Sequence, residues 1–229
     1  MIMPRHPHIL REFDRALDGL RADALMMASL ADRNLQNAMG CLFDRNVDLC
    51  SIAIVDEKEV DALEKKIDSD GVDILLRFQP MASDLRQVVS TMKLGNNLER
   101  IADQAVNIAQ RSSKLSMEPE LDDAISLGPL FLEAIGLFRD SIRAYADGNV
   151  MLARALRERD REIDHLNQAI ADNLTRRMAE QPDRIPDLLH LLFIARYLER
   201  VGDHAKNIGE EVVYTAEAED IRHPENALG

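Results

Sequence analysis

Apolar residues recur along nearly the whole chain at intervals of three and four, the period of a helix with one buried face. From Ile9 to about Phe43, the side chains of Leu10, Phe13, Leu17, Leu20, Leu25, Ala28, Leu35 and Ala38 fall roughly on one side and predict a first helix. Asp44-Arg45-Asn46 reads as a short turn. A second helix follows from about Val47 to Phe78, with Leu49, Ile52, Val60, Leu63 and Ile67 inward. Gly71 weakens it locally, by about 1 kcal/mol against alanine. Gln79-Pro80 ends it, because the residue before proline avoids the helical region. A third helix runs from Ser83 to about Lys114. Ser112 to Asp123 lacks periodicity and reads as a linker. The fourth helix reaches about Tyr145, with Gly128-Pro129 as its start or a kink. Asp147-Gly148-Asn149 is a turn, and the fifth helix covers about Val150–Ala179. Gln181-Pro182 through Pro186 breaks the pattern before a sixth helix, from about Asp187 to Ala216. The tail from Glu217 is acidic and is expected to fray.

The six helices are two copies of three. NNLERIADQAVNIA at 96–109 returns as RYLERVGDHAKNIG at 196–209, so Leu98, Glu99, Arg100, Asp103, Asn107 and Ile108 recur one hundred residues later. Asp44-x-Asn46-Val47-x-Leu49 matches Asp147-x-Asn149-Val150-x-Leu152 at an offset of 103, as do Glu59-Val60-Asp61 and Glu162-Ile163-Asp164. The three-residue difference between the offsets belongs in a loop. The expected fold is therefore all-α, with six long helices in two tandem three-helix bundles, residues 1–115 and 116–229.

Within each copy, acidic residues four apart share a helix face. The second and third helices carry Glu57 and Asp61 with Glu99 and Asp103, and the fifth and sixth carry Asp160 and Asp164 with Glu199 and Asp203. Glu57 and Asp103, like Asp61 and Glu99, are equidistant from Pro80. The second set is arranged in the same way about Gln181-Pro182. Residues equidistant from an interhelical turn lie at one height on antiparallel neighbours. Four converging carboxylates repel one another and raise their own pKa values unless a cation sits between them. Oxygen-only donors suit magnesium, calcium, manganese or iron rather than zinc or copper. The competing reading is a solvated acidic face balanced by Lys58, Arg100, Arg161 and Arg200, and the spacing leaves both open. Glu162-x-x-His165 has di-iron spacing, but its counterparts are Glu59 and Ala62; His204 faces Gln104 across the repeat and reads as a surface residue. Nothing has the pattern of a phosphate loop, a nucleophilic triad or a Cys-x-x-Cys pair, so no catalytic residue is assigned.

Composition narrows the picture. The chain has 229 residues, 46% hydrophobic but 4% aromatic, without tryptophan, which favours helix packing over a sheet sandwich. A net charge of −13 argues against direct nucleic-acid binding and against attraction to an anionic membrane. Cys41 and Cys50 sit in apolar helical pattern and are expected as reduced, packed thiols. Met26, Met27 and Met39 read as core or dimer filler. With no signal-peptide or membrane-spanning pattern, the expected location is the cytoplasm.

The run QPMASDLRQVVSTMKLGNNLERIADQAVNIA at 79–109, with RYLERVGDHAKNIGEEVVY at 196–214, resembles the PhoU family over essentially the whole chain. The resemblance implies a cytoplasmic, often homodimeric, non-enzymatic helical protein that represses the phosphate-starvation response, and so transcription, indirectly. It also implies a bridge between the ATPase subunit of a phosphate ABC transporter and a membrane sensor histidine kinase, reaching the membrane only through these partners. Metal clusters would lie on the paired acidic motifs, here Glu57, Asp61, Glu99 and Asp103, then Asp160, Asp164, Glu199 and Asp203. One departure is Arg86, which has no twin in the second copy and is expected to serve a partner contact. Two other readings compete: a metal-dependent phosphate-ester hydrolase, and a metal-storage bundle.

Overall fold

The computed structural model describes residues 7–119 and 121–222. Six long α-helices occupy almost all of it: α1 (Pro7–Phe43), α2 (Val47–Phe78), α3 (Ser83–Leu115), α4 (Gly128–Asp147), α5 (Val150–Glu180) and α6 (Ile185–Glu217). The repeated Asp-x-Asn-Val-x-Leu motif explains why α2 and α5 begin where they do. Asn46 Oδ1 accepts from the backbone N–H of Asp48 at 3.0 Å, and Asn149 Oδ1 from that of Leu152 at 3.0 Å. Each asparagine satisfies an amide that has no partner inside its helix. The residue before each cap turns into the left-handed region, with φ 52° at Arg45 and 61° at Gly148. Glycine takes that conformation without strain, whereas a side chain there costs on the order of 1 kcal/mol. Gly128-Pro129 starts α4 rather than kinking it, since proline in a first turn loses no helical hydrogen bond. The expected linker is shorter than its lack of periodicity suggests. α3 continues to Leu115, and Asp122–Leu127 forms a 3-10 turn that buries Leu127 against the core. The expected fraying tail falls largely beyond residue 222, outside the described residues.

α1, α2 and α3 pack as one three-helix bundle and α4, α5 and α6 as another, with α3 and α6 packed along each other between them. The stripe Leu98, Ile101, Ala105 and Ile108 is fully buried, as are Leu198, Val201 and Ala205 on α6. One apolar core with members from all six helices crosses the junction. Polar contacts across it obey the internal repeat. Ser90 Oγ donates to Glu211 Oε2 at 3.3 Å, and Arg111 Nη1 lies 3.1 Å from His190 Nδ1, the same pair with copies exchanged. Lys93 Nζ donates to Glu211 at 2.9 Å, while its mate is the Arg111 guanidinium 4.0 Å from the Phe193 ring centre. α3 and α6 therefore run antiparallel about a local pseudo-twofold axis. Asn97 and His204 bridge the same seam, with Oδ1 and Nδ1 3.1 Å apart.

Two expectations change here, and Gly71 and Arg86 acquire neighbours that the sequence does not show. Cys41 and Cys50 are not free thiols but form a disulfide, with Cα atoms 5.3 Å apart across the α1–α2 turn. They flank that turn within one residue of symmetry, so the hairpin argument that aligned the carboxylates would have brought them to nearly one height too. Ile52, expected inward, is 44% exposed, because Cys50 and Ala53 take the inner face. Gly71 is buried against α3, and a Cβ there would lie 2.5 Å from Sδ of the flexible Met92 side chain. Arg86 is half-buried and turned inward, its Nε donating to the Thr215 carbonyl at 3.2 Å. It ties the start of α3 to the last turn of α6, where unpaired carbonyls welcome a cation.

Candidate functional site

The eight acidic residues line two seams, α2 against α3 and α5 against α6. In the first, Glu57, Asp61, Glu99 and Asp103 are all half-buried. Burial pushes the Glu57 carboxyl above its ordinary pKa, and Asp61 and Asp103 push it further. Burial also raises Glu99, with Glu64, Asp103 and Asp61 adding to the effect and Arg100 opposing it. Glu57 feels Asp103 and Glu99 feels Asp61, the cross-helix partners that the hairpin symmetry brings to one height. Glu99 Oε2 lies 3.2 Å from Arg100 Nε, but the approach makes no hydrogen bond, and the oxygen is otherwise buried and unsatisfied. One turn on, the Asn107 amide N–H donates to the Asp103 backbone carbonyl at 2.9 Å.

The second seam is built differently. Asp160 is 5% exposed and Glu199 9%, whereas Asp164 is exposed and the Asp203 side chain about half exposed. Lys206 Nζ bridges the seam, 2.5 Å from Asp160 Oδ2 and 2.9 Å from Asp203 Oδ1. Burial would lower the pKa of this ammonium, but the hydrogen bonds and charges of the two aspartates outweigh burial and raise it. Asp160 stays above the ordinary carboxylate range, because burial and the neighbouring Asp203 and Asp164 exceed what Lys206 returns. Glu199 is raised by burial, with Asp203 and Asp164 adding to it. Its Oε1 accepts from Arg196 at 2.6 Å while Oε2 is buried without a hydrogen bond. Glu162 and His165 are both exposed. His204, expected at the surface, is half-buried between α3 and α6, and burial lowers its pKa.

The donor chemistry of the first seam fits a hard cation: four carboxyls, one buried oxygen lacking a hydrogen-bond donor, and two glutamates, Glu57 and Glu99, whose pKa values burial and neighbouring carboxylates raise. The second seam fits less well, since an ammonium already lies on two of its four carboxylates. Among the described residues, no three histidine, cysteine, aspartate or glutamate side chains close to metal-holding spacing.

The family model for the PhoU domain matches residues 25–112 and 130–212, one match in each bundle. The chain belongs to the PhoU family. It is 35% identical over 228 residues to a "Phosphate-specific transport system accessory protein PhoU homolog" of Zymomonas mobilis, covering 97% of this chain and 93% of that protein. A relative of the same description from Xylella fastidiosa is 32% identical over 217 residues, 95% of this chain and 92% of the relative. The crystal structure of PhoU from Pseudomonas aeruginosa superposes with a TM-score of 0.88 at 30% identity, covering 90% of this chain and all of that one. The phosphate transport system regulatory protein PhoU from Streptococcus pneumoniae gives a TM-score of 0.85 at 25% identity, covering 92% of this chain and all of that one. PhoU proteins are accessory and regulatory rather than catalytic, and the family places this chain in phosphate homeostasis. The hydrolase reading falls with that assignment. Among the described residues, no helix is long and apolar enough to cross a membrane.

Proposed function

We propose that this PhoU-family chain is an adaptor that represses the phosphate-starvation response when phosphate is plentiful. It would contact the ATPase subunit of a phosphate ABC transporter and a sensor histidine kinase, and work in the cytoplasm as a homodimer. What carries this reading is the double match of the PhoU domain, one per bundle, on a chain that spans nearly the full length of its relatives. The fold supports it physically. A core continuous across both bundles makes a stiff body, and stiffness lets binding at one face constrain the other. Apolar side chains remain in water on the α2–α3 hairpin, including Leu76, Met81 and Leu85, where a partner could cover them.

A divalent or trivalent cation on Glu57, Asp61, Glu99 and Asp103 would supply the positive charge that lets α2 and α3 approach at this level. Asp160, Asp164, Glu199 and Asp203 form the corresponding set on α5 and α6. Deletion of the gene in the source bacterium, with a phosphate-starvation reporter read in high phosphate, tests the regulatory role. Derepression, reversed by the wild-type gene, is the expected result; a silent reporter sinks the adaptor reading.

A further inference from the structure

Lys206 breaks the symmetry of the two acidic seams. Across the repeat its counterpart is Val106, so the first seam has no ammonium at this height. A second exchange points the same way. Arg157, one turn before Asp160 on α5, corresponds to Ile54, one turn before Glu57 on α2. Arg157 also leans over the second seam, 3.9 Å from Glu210, and lines an open cleft with Asp160, Lys206 and Arg222. At these two positions the first seam is apolar and the second cationic, and only the second has a cation bridging two of its carboxylates.

We infer that the two seams are not equivalent metal centres: Lys206 neutralises the second from within, and the cation is held in the first bundle. This rests on the metal reading above and narrows it to one half of the chain. The physical argument is competition for the same oxygens. A metal entering the second seam must displace an ammonium from Asp160, which is 5% exposed. The metal would also add its charge beside Arg157. In the first seam only Arg100 has to give way, a half-exposed guanidinium 3.2 Å from Glu99 Oε2 that makes no hydrogen bond to it and bridges no second carboxylate. Val106 there brings no charge; a buried glutamate oxygen without a hydrogen-bond donor, Glu99 Oε2 or Glu199 Oε2, is common to both seams.

The test uses the full chain, stripped with a chelator, reloaded with manganese(II) and passed through gel filtration before elemental analysis. Asp103→Ala should lose the bound manganese, Asp203→Ala should retain it, and Lys206→Val should gain up to a second equivalent. Lys206→Met, which keeps the stem and removes the charge, should gain manganese in the same way. Melting in chelator provides a second readout: both Lys206 variants should melt below wild type, and manganese should restore them. Circular dichroism identifies any variant that has not folded. Equal loss of metal in Asp103→Ala and Asp203→Ala overturns the asymmetry while leaving the metal reading intact. No manganese on wild type or on any variant overturns the metal reading, and this inference with it.

Discussion

Glu211 is where the two bundles can be separated energetically. It lies on α6 and is 9% exposed; Lys93 Nζ stands 2.9 Å from Oε1 and 3.1 Å from Oε2, and Ser90 Oγ donates to Oε2 at 3.3 Å. Unit charges at this separation attract by roughly 6 kcal/mol at an effective dielectric near 20. Little of that survives as net stability. The Lys93 side chain is 41% exposed, so solvent screens it, and two side chains must be ordered. A net coupling of about 1–2 kcal/mol remains. Glu211→Ala also strips the acceptor from the Ser90 hydroxyl, which is 3% exposed, for about 1 kcal/mol more. The expected total is about 2–3 kcal/mol, or a melting point lower by about 5–10 °C for a chain of this size. Calorimetry and urea titration of wild type, Glu211→Ala, Lys93→Met and the double variant form a double-mutant cycle. Because one core runs through both bundles, all four should unfold in a single transition. A coupling below about 0.3 kcal/mol would refute the electrostatic account. Two separated transitions in wild type would refute the shared core.

Other consequences can be checked on the same material. Glu57, Glu99, Asp160, Glu199 and Glu210 all have pKa values raised by burial. The folded protein therefore binds their protons more tightly than the unfolded chain, and this contribution is lost as pH rises through the folded values. His190 and His204, whose pKa values burial lowers, work the other way as pH falls through the ordinary histidine value. The clean test is therefore metal-free His190→Gln/His204→Gln protein, which should gain stability between pH 7 and about pH 5; a steady loss on acidification over that range contradicts the assignment. A Cβ at Gly209 would lie 2.6 Å from Leu156 Cδ1 and 3.1 Å from the Ala153 carbonyl. Gly209→Val should cost about 1–3 kcal/mol in chemical denaturation, because backbone cannot yield as a side chain can. Thiol titration of the unreduced, denatured protein should find no free cysteine and, after reduction, both Cys41 and Cys50. Two thiols before reduction would restore the expectation from sequence.

Much of the fold was legible because helices are local objects. Periodicity, the turns at Asp44-Arg45-Asn46 and Asp147-Gly148-Asn149, and prolines beside the other turns placed both limits of α2 on the observed residues and most limits of the other helices within two or three. Repetition showed that two bundles exist, and symmetry about Pro80 and Gln181-Pro182 placed the carboxylates at matching heights. What a face meets is not local. Ile52 obeys the apolar pattern yet stays in water, because no helix covers that side. His204 has the neighbourhood of a surface residue in sequence, and is half-buried only because α3 lays Asn97 against it. Arg86 turns inward because the last carbonyls of α6 happen to end beside it.

The acidic seams divide in the same way. That eight carboxylates stand in mirrored pairs follows from the sequence alone, since four-residue spacing sets a common face and distance from the turn sets a common height. That Lys206 lies across Asp160 and Asp203, and that Asp160 is far more buried than Asp164 on the same helix, was decided by how closely α5 and α6 pack. The cause is physical: spacing along one helix constrains direction and height, whereas burial and charge pairing depend on what the neighbouring helix brings to the same place.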